Sequence, residues 1–337
     1  MRILITGTAG FIGNNLALRM LKEGHEVAGV DAVTDYYDVD LKRDRLKRLE
    51  SYESFSEHEY RLEEFDKLAA TFESFKPQRV VHLAAQAGVR YSLKNPRAYV
   101  EANVTGSFNV IELCKQYGVE HLVIASTSSA YGANDVYPYN ETDRAAFPLT
   151  TYAATKQASE LIAHSHSHLF DIPTTVMRFF TVYGPWGRPD MAFFLFTKAM
   201  FENKPIDVYN HGKMIRDFTY VDDLTKAIRL LVDTPPVKGQ PITGVQDSLS
   251  PVAPYRLVNI GNADPVSLMD FIQEIEKNVG VKAQMNMMDM QPGDVPKTFA
   301  NSDLLEHLTG YRPTGNIQDG VKAFVDWYRV YYNVGLN

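Results

Sequence analysis

The stretch TGTAGFIG at residues 6–13 decides the fold of this chain. It follows the apolar run RILIT, which is typical of a buried strand, and leads into residues 13–23, where Leu16, Met20 and Leu21 recur at helical spacing. Glycine at three positions lets the backbone turn tightly and approach a pyrophosphate, whose charge is stabilised at a helix N-terminus. Glycines also occur in ordinary turns, so the strand–turn–helix context is what favours a dinucleotide site. The predicted contacts are Gly7, Gly10, Phe11, Ile12 and Gly13.

Strand and helix patterns alternate through the first half of the chain. The further strand candidates are 25–31, 79–84, 121–126 and 174–179, and the helix candidates are 103–118 and 151–170. Continuous apolar strands separated by helices are typical of a parallel sheet that is covered on both faces. The predicted fold class is therefore α/β, a Rossmann-type doubly wound parallel sheet with a smaller C-terminal α/β domain.

The second half of the chain is less regular and gives the expected domain boundary. Its candidate elements are a strand at 206–209, helices at about 221–233 and 267–279, and a Pro-, Gly- and Ser-rich surface loop at 235–254. We expect residues 1–180 to bind the dinucleotide and residues 181–337 to bind the substrate, with some elements interleaved.

The composition bounds the class of protein. Of the 337 residues, 45% are apolar and 22% are charged, as in soluble globular proteins. A net charge of −7 argues against a nucleic-acid partner, which requires a concentrated basic surface. We expect no membrane helix and no signal peptide, and therefore a cytoplasmic location. The single Cys114 excludes an internal disulfide framework and a multi-cysteine metal site, and we expect it to be buried on a helix.

Asp31 ends the strand after the glycine loop, 18 residues beyond Gly13. A carboxylate there can accept hydrogen bonds from the adenosine ribose and would repel a 2′-phosphate, so NAD is favoured over NADP. The alternative is a plain turn followed by a strand-terminal Asp. Asp66, in EEFDKL, could bond the adenine edge or cap the following helix, and the residues alone leave both open.

Two strand ends carry polar groups where the nicotinamide should lie. HLAAQAGVR (82–90) predicts cofactor contacts at Leu83, Ala84, Ala85 and Gln86, and a substrate contact at Arg90. IASTSSAYG (124–132) brings together the hydroxyls of Ser126, Thr127, Ser128 and Ser129. Such hydroxyls can bond a substrate oxygen, or they can cap a helix or a turn.

TYAATK (151–156) places Tyr152 and Lys156 four residues apart, on one face of a predicted helix. A phenol with a pKa near 10 is too weak a base at neutral pH, but an ammonium and a positive nicotinamide ring would both favour phenolate. Lys156 can also hold the nicotinamide ribose, and Thr127 can complete a proton relay to a sugar hydroxyl. An isolated pair of this kind would be read as ordinary helix surface, so the glycine loop, Asp31 and the hydroxyl cluster carry the catalytic interpretation.

These motifs resemble the extended short-chain dehydrogenase/reductase superfamily over nearly the whole chain. Longer strings are similar to the UDP-glucuronate 4-epimerases, namely DYYDVDLKRDRL (35–46), HLAAQAGVRYS (82–92), RFFTVYGPWGRPDMA (178–192), RDFTYVDD (216–223) and PGDVPKT (292–298). The chain departs from relatives at Ala32 and Val33, where they usually carry a polar or aromatic residue. This departure concerns the contacts to the adenosine ribose and leaves Asp31 in place.

The resemblance implies roles for residues at matching positions. Thr127 takes the place of the catalytic Ser/Thr, Tyr152 that of the base and Lys156 that of its partner. Arg188 and Arg216 fall where the family neutralises the UDP diphosphate. The other implied substrate contacts are Thr181, the uracil pocket around Val208 and Tyr209, and Asp294 near the nucleotide ribose. Relatives pair the helices at 103–118 and 151–170 with their copies, which implies a homodimer through a four-helix bundle.

In such an epimerase, Tyr152 would remove the C4 hydroxyl proton while the C4 hydride passes to NAD and later returns to the opposite face. A 4-keto glucuronate is a β-keto acid that loses carbon dioxide readily, so the enzyme must restrain the carboxylate. Ser128 and Ser129 are predicted to hold it. Related decarboxylases and dehydratases resemble TSEVYG and TDEVYG at this point, whereas this chain has TSSAYG, with Ser129 in place of their catalytic Glu.

Three alternatives stay open. The protein could epimerise neutral sugars such as UDP-glucose or UDP-N-acetylhexosamine, it could be a UDP-glucuronate decarboxylase, or it could be a catalytically dead NAD-binding scaffold. The scaffold is disfavoured because the chain keeps both Tyr152 and Lys156.

HSHSH (164–168) places His164 and His168 four residues apart, a spacing that could ligate a metal. No third ligand is evident in the sequence nearby, and the chemistry requires no metal. We therefore predict solvent-facing histidines and no metal site.

Overall fold

The computed structural model describes residues 1–335, and the glycine loop lies where the sequence places it. The first strand, Arg2–Thr6, enters the loop, and the first helix, Phe11–Lys22, begins directly after Gly10. Leu16 and Met20 of this helix are buried. The predicted order of strand, tight turn and helix is confirmed.

The strands, numbered in chain order, are β1 (Arg2–Thr6), β2 (Glu26–Asp31), β3 (Phe55–Glu59), β4 (Arg79–His82), β5 (His121–Thr127), β6 (Thr174–Phe179), β7 (Thr181–Tyr183), β8 (Ile206–Val208), β9 (Ile215–Tyr220), β10 (Tyr255–Ile260), β11 (Pro265–Ser267), β12 (Met285–Met287) and β13 (Lys297–Thr298). The helices are α1 (Phe11–Lys22), α2 (Val39–Glu50), α3 (Phe65–Phe75), α4 (Val89–Lys94), α5 (Pro96–Tyr99), α6 (Ser107–Gln116), α7 (Thr151–Phe170), α8 (Ala192–Phe201), α9 (Val221–Val232), α10 (Leu268–Val279), α11 (Asp303–Thr309) and α12 (Ile317–Tyr332). Within residues 1–335, no helix is both long enough and apolar enough to cross a membrane.

The central sheet has seven parallel strands in the order β10-β6-β5-β4-β1-β2-β3. The chain moves outward from β1 to β3 on one side and from β4 to β10 on the other, so the order reverses between β1 and β4. Strands β5, β6 and β10 are buried along their whole length, as expected for a sheet covered on both faces. In such sheets, ligands bind beyond the carboxyl ends of the strands at the point of reversal. The predicted α/β Rossmann-type class is confirmed.

Two elements of this sheet layer come from beyond residue 180. Strand β10 pairs with β6, and helix α9 contributes Leu224 and Ile228 to the same core cluster as Leu16 of α1. The sequence did not predict β10, because Arg256 and Asn259 interrupt its apolar run. Both are buried with partners: Arg256 pairs with Asp247 at 2.8 Å, and Asn259 accepts a hydrogen bond from a tyrosine hydroxyl.

The smaller part of the molecule is built around β9, which lies in a sheet with β7, β11 and β13. Strand β7 starts two residues after β6 ends, so this sheet is attached at the carboxyl end of the central sheet. Helices α8, α10 and α12 contribute Phe193, Phe271 and Phe324 to its core. Phe218 of β9 stacks on Phe271 with a ring separation of 4.0 Å. This packing fixes β9, which carries Arg216, beside the central sheet.

The predicted helix at 103–118 is divided in the structure. Residues Val100–Gly106 form a π-helix, and only then does the α-helical part α6 begin at Ser107. Gly106 packs against Leu62, where a Cβ would come within 3.0 Å of the Leu62 side chain. Cys114 is buried on α6, as predicted.

The histidines of α7 correct one expectation. His164 is half-buried and lies 2.8 Å from the Ser250 hydroxyl, while His168 is exposed and contacts the Val252 carbonyl at 2.9 Å. The prediction that they face solvent is therefore wrong for His164, because the long loop before β10 folds back over α7. In the part of the chain that the structure describes, no group of three or more His, Cys, Asp or Glu side chains is arranged to hold a metal.

Candidate active site

A cavity of about 470 Å³ lies at the carboxyl ends of the central strands and reaches the smaller sheet. It brings together residues that are distant in sequence. The predicted site residues that line it are Gly7, Gly10, Phe11, Ile12, Gly13, Asp31, Leu83, Ala84, Ala85, Gln86, Thr127, Ser128, Ser129, Tyr152, Lys156, Thr181, Arg188, Arg216 and Asp294.

The glycine loop leaves no room for side chains. A Cβ on Gly13 would lie 2.0 Å from the Gly7 carbonyl oxygen, and a Cβ on Gly7 would lie 3.0 Å from the Ala84 nitrogen. Gly7 also adopts a φ of +86°, which favours glycine. The loop therefore brings bare backbone against the cavity at the start of α1, which is the arrangement that binds a pyrophosphate.

Asp31 is fixed at the end of β2. Its two carboxylate oxygens accept hydrogen bonds from the backbone N–H of Ala9, at 3.0 Å, and of Val33, at 2.8 Å. Burial raises the pKa of Asp31, while these hydrogen bonds and the charge of Lys42 oppose the rise. Of the two departing positions, Ala32 lines the cavity with a methyl group, and Val33 is buried at a φ of +43°.

Asp66 lies outside the cavity. It is exposed in the first turn of α3, and the cavity is bounded instead by the residues just before that helix, which include Leu62 and Glu63. Helix α3 begins directly after Glu64, and Asp66 lies in its first turn. Of the two alternatives for Asp66, this placement disfavours the adenine contact.

Lys42 and Glu57 are charged residues near Asp31 that the sequence did not single out. Lys42 is buried and donates to the Thr34 carbonyl at 2.5 Å and to its hydroxyl at 3.1 Å. Glu57 accepts from the Thr8 hydroxyl at 3.0 Å, and burial raises its pKa to about 8. The contact between Thr8 and Glu57 joins residues 49 apart in sequence, which no local motif could have revealed, whereas Lys42 reaches Thr34 only eight residues away.

Helix α7 presents Tyr152 and Lys156 to the cavity on one face, as predicted. Thr150 caps the helix by accepting from the Ala153 N–H at 3.2 Å. Lys156 is only 2% exposed, and burial lowers its pKa from 10.5 to about 8 against the opposing effect of Glu160. A lysine held in this way can lose or gain a proton near neutral pH.

The phenol of Tyr152 is protonated in the protein alone. Burial raises its pKa above 10, whereas hydrogen bonding to Thr127 and the charge of Arg188 lower it. Deprotonation near neutral pH therefore requires a further positive charge, such as an oxidised nicotinamide ring would bring. The influence of Arg188 on this phenol was not foreseen from the sequence.

Thr127 both caps a turn and lines the cavity. It is the last residue of β5, and its hydroxyl accepts from the Ser129 N–H at 3.1 Å, which starts a 3₁₀ turn over Ser128–Tyr131. The capping alternative is thus correct for Thr127, and the same turn keeps Ser128 and Ser129 at the cavity wall. Capping and a place in the site are compatible here.

Asn103 is a buried polar residue at the site that the sequence analysis missed. Its side-chain oxygen accepts from the Gln86 N–H at 2.8 Å, and its amide donates to the Gln86 carbonyl at 3.0 Å and to the Thr155 hydroxyl at 3.1 Å. It therefore ties the segment after β4 to helix α7. The only local signal was a polar residue on the apolar face of the helix pattern at 103–118.

The substrate end of the cavity holds two arginines in different environments. Arg188 pairs with Asp190 at 2.6 Å, and Asp190 also accepts from the Tyr36 hydroxyl at 3.0 Å. Arg216 donates to the Val295 carbonyl at 2.7 Å, and burial lowers its pKa. Within residues 1–335, Arg216 forms no direct ion pair, although the charge of Asp294 opposes the effect of burial on its pKa, whereas Arg188 is paired directly with Asp190.

Three predicted substrate contacts lie outside the cavity lining. Arg90 stacks over the Tyr209 ring at 4.5 Å and comes within 3.9 Å of the lining residue Asp294. Val208 is fully buried with the phenylalanines of the smaller core. Arg90 and Tyr209 therefore flank the site near Asp294, and Val208 supports the fold beneath them.

Comparison with known proteins identifies the family. Residues 3–243 match the NAD dependent epimerase/dehydratase family. The chain belongs to this family. Among curated members, it is 52% identical to protein CapI of Staphylococcus aureus over 98% of this chain and 99% of that protein. It is also 52% identical to a probable UDP-glucuronate 4-epimerase of Rhizobium meliloti (strain 1021), over 97% of each.

A solved structure has the same fold over nearly the whole chain. The UDP-glucuronic acid 4-epimerase from Bacillus cereus, in complex with UDP-glucuronic acid and NAD, superposes with a TM-score of 0.88 at 32% identity. The alignment covers 98% of this chain and 100% of that one. The resemblance inferred from the motifs is therefore confirmed.

Proposed function

We propose that this protein interconverts UDP-glucuronate and UDP-galacturonate by NAD-dependent epimerisation at C4. One observation carries the proposal: Thr127, Ser128 and Ser129 line the cavity beside Tyr152 and Lys156. A hydroxyl, and not a carboxylate, therefore occupies the Ser129 position. The family membership and the similarity to UDP-glucuronate epimerases support the same reaction.

The cavity fits NAD at the end that the glycine loop forms. Gly7, Gly10 and Gly13 give the backbone cradle for the diphosphate, and Asp31 faces the expected adenosine ribose. NAD, when bound, supplies the acceptor that takes up the C4 hydride and gives it back. Because no net oxidation occurs, the enzyme has reason to retain the cofactor between turnovers.

Tyr152 accepts the proton of the C4 hydroxyl. Thr127 bonds the same oxygen, and Lys156 supports the phenolate and the neighbouring ribose. The charge of Arg188 lowers the pKa of the phenol, opposing the effect of burial. These groups take up the proton of the C4 hydroxyl and return it to the same oxygen after the 4-keto sugar has rotated in the site.

Ser128, Ser129 and Arg188 restrain the C6 carboxylate in this proposal. Since the charge of Arg188 acts on Tyr152, this arginine lies at the reacting end of the cavity. That position suits a sugar carboxylate better than the diphosphate contact implied by the resemblance. Arg216, which lies near Asp294 at the other end, then neutralises the diphosphate.

We further propose a homodimer through helices α6 and α7. Four large apolar side chains on these helices are exposed, namely Phe108 by 43%, Leu161 by 72%, Leu169 by 67% and Phe170 by 45%. Pairing each helix with its copy would bury them in a four-helix bundle. We expect the enzyme to work in the cytoplasm, where its single cysteine stays reduced.

The reaction is tested by incubating the purified protein with UDP-glucuronate, without added NAD, and following the product by NMR. UDP-galacturonate as the product supports both the substrate and a retained cofactor. Turnover of UDP-glucose alone would favour a neutral-sugar epimerase, and release of a UDP-pentose with carbon dioxide would favour a decarboxylase. No turnover of any of these, with NAD bound, would favour a scaffold.

A further inference from the structure

Helix α2 carries two arginines that lack acidic partners in residues 1–335. Arg45 is fully buried, and its guanidinium donates only to neutral oxygens: the Trp186 carbonyl at 2.7 Å, the Ala9 carbonyl at 3.0 Å, the Gly187 carbonyl at 2.9 Å and the Tyr37 hydroxyl at 2.8 Å. Arg48, three residues on, donates to the side-chain oxygen of Asn14 at 2.7 Å. In this part of the chain, neither arginine forms an ion pair with a carboxylate.

Two like charges one helical turn apart are costly away from water. Burial, together with the smaller effect of the charge of Arg45, lowers the pKa of Arg48 to about 10. Buried charges in proteins are usually paired with an opposite charge. Within residues 1–335, no carboxylate pairs with Arg45 or Arg48. An anionic ligand could supply the missing negative charge.

A second cavity, of about 510 Å³, opens beside Arg48 on the outer surface of the molecule. The Arg48 guanidinium lies 4.7 Å from the centre of the Trp186 ring at its wall. Lys22 of α1 also lines the cavity, and no carboxylate within residues 1–335 forms an ion pair with it.

The carboxylates at this cavity are already engaged. Asp222 pairs with Arg19 at 2.5 Å, and Glu23 pairs with Arg229 at 2.5 Å. Lys22 and Arg48 therefore retain their charges, and with Arg45 behind them they make the cavity electropositive. A concave surface with a guanidinium, an ammonium and an indole ring suits a phosphorylated molecule.

We propose that this second cavity binds a diphosphate group, either as free pyrophosphate or as part of a nucleoside diphosphate. The cavity is separate from the active site but shares its supporting residues. Arg45 holds the carbonyls of Trp186 and Gly187, which directly precede Arg188, and it also holds Ala9 in the glycine loop. A bound diphosphate adds negative charge beside the loop that meets the anionic substrate, so it raises the KM for UDP-glucuronate.

Calorimetry tests the binding on the NAD-loaded enzyme in saturating UDP-glucuronate. Pyrophosphate and UDP are each titrated into the wild type, Arg48→Gln, Lys22→Gln and Lys47→Gln. Lys47→Gln is the matched control. It removes one positive charge from the same helix as Arg48, but Lys47 pairs with Asp44 and lies outside the cavity. We expect each cavity variant to weaken binding about tenfold or more, as for loss of a charge-assisted hydrogen bond, and Lys47→Gln to leave it unchanged.

Tighter binding of UDP than of pyrophosphate would assign a nucleotide as ligand, and equal binding would assign the inorganic anion. The exposed Lys22 variant keeps the test valid if Arg48→Gln loosens the fold around Trp186. In kinetics, pyrophosphate should raise the KM of the wild type and much less that of the two cavity variants. The absence of binding to the wild type would overturn the proposal. Equal inhibition of all four proteins would also overturn it, because it would indicate that pyrophosphate competes at the active site.

Discussion

Glu160 and Arg178 form a buried ion pair one helical turn behind Lys156, with the Arg178 Nη2 2.7 Å from the carboxylate. The Ser126 hydroxyl donates to the same carboxylate, so the pair is fixed from both sides. Glu160 raises the pKa of Lys156 against the larger effect of burial. The ion pair thus keeps Lys156 protonated to a higher pH than burial alone would allow.

Glu160→Gln should shift the alkaline limit of activity to lower pH. Without the carboxylate, the pKa of Lys156 falls below about 8, so the ammonium that supports the Tyr152 phenolate is lost earlier as pH rises. Leaving Arg178 unpaired should also destabilise the fold by about 3 kcal/mol. The pH profile of kcat and a thermal melt measure the two effects.

Glu202→Gln is the control for this change, because Glu202 is partly exposed and pairs with Lys204 on the surface. It should alter neither measurement. An unchanged alkaline limit in Glu160→Gln would show that Glu160 does not set the protonation of Lys156.

Ser128→Ala/Ser129→Ala should turn part of the epimerase activity into decarboxylation. Each substitution deletes a hydroxyl that is proposed to donate to the carboxylate, and a hydrogen bond to a charged group is worth about 1.5–3 kcal/mol. We expect the ratio of UDP-pentose to UDP-galacturonate to rise about tenfold or more, as measured by NMR and carbon dioxide release. Ser74→Ala on α3, outside the cavity lining, should leave the ratio as in the wild type. If the ratio does not rise in the double variant, these serines do not restrain the carboxylate.

Glu57→Gln should stabilise the protein more at pH 8 than at pH 5. The pKa of Glu57 is raised from 4.5 to about 8 by burial, so the folded state keeps a proton that the unfolded state releases above 4.5. Its contribution to stability is complete below pH 4.5 and is lost as pH rises to about 8. The amide carries no such charge, and thermal melts at the two pH values measure the difference.

The neighbouring Glu59 serves as the control for Glu57. It lies two residues further along β3 and pairs with Arg43, and hydrogen bonding to Arg43 lowers its pKa. Glu59→Gln should therefore give no gain in stability at pH 8. An equal gain at both pH values in Glu57→Gln would contradict the assigned titration.

Leu161→Asp should yield a monomer. Leu161 is 72% exposed on α7, and a carboxylate there would be buried without a partner in the proposed bundle. Sedimentation measures the mass in solution. Val330→Asp, at a 73% exposed site on α12, should leave the dimer intact; loss of the dimer in both variants, or in neither, would argue against this interface.

Local motifs predicted which residues the structure brings together at one cavity. The glycine loop, Asp31 and the pair Tyr152–Lys156 each depend on residues close in sequence, whose spacing fixes their geometry once the strand or helix forms. The alternation of apolar strands and helices along the chain likewise predicted the parallel sheet. The prediction needed no knowledge of long-range contacts.

Long-range contacts account for what the sequence did not reveal. Asn103 is recognisable only from its partners Gln86 and Thr155, and Arg45 only from carbonyls more than 30 residues away. Strand β10 was missed because a buried arginine and asparagine find partners elsewhere in the fold. Asp66 lies outside the cavity lining because the lining residues of this region precede α3, and a sequence pattern does not place the start of a helix to the residue.

The most direct test of the central claim uses UDP-glucuronate labelled with deuterium at C4, incubated with the purified protein in ordinary water without added NAD. Direct transfer and return of one hydride predicts UDP-galacturonate that keeps its deuterium at C4, and Tyr152→Phe should retain NAD yet lose nearly all turnover. UDP-galacturonate with hydrogen at C4, a UDP-pentose as the main product, or full activity in Tyr152→Phe would contradict the account.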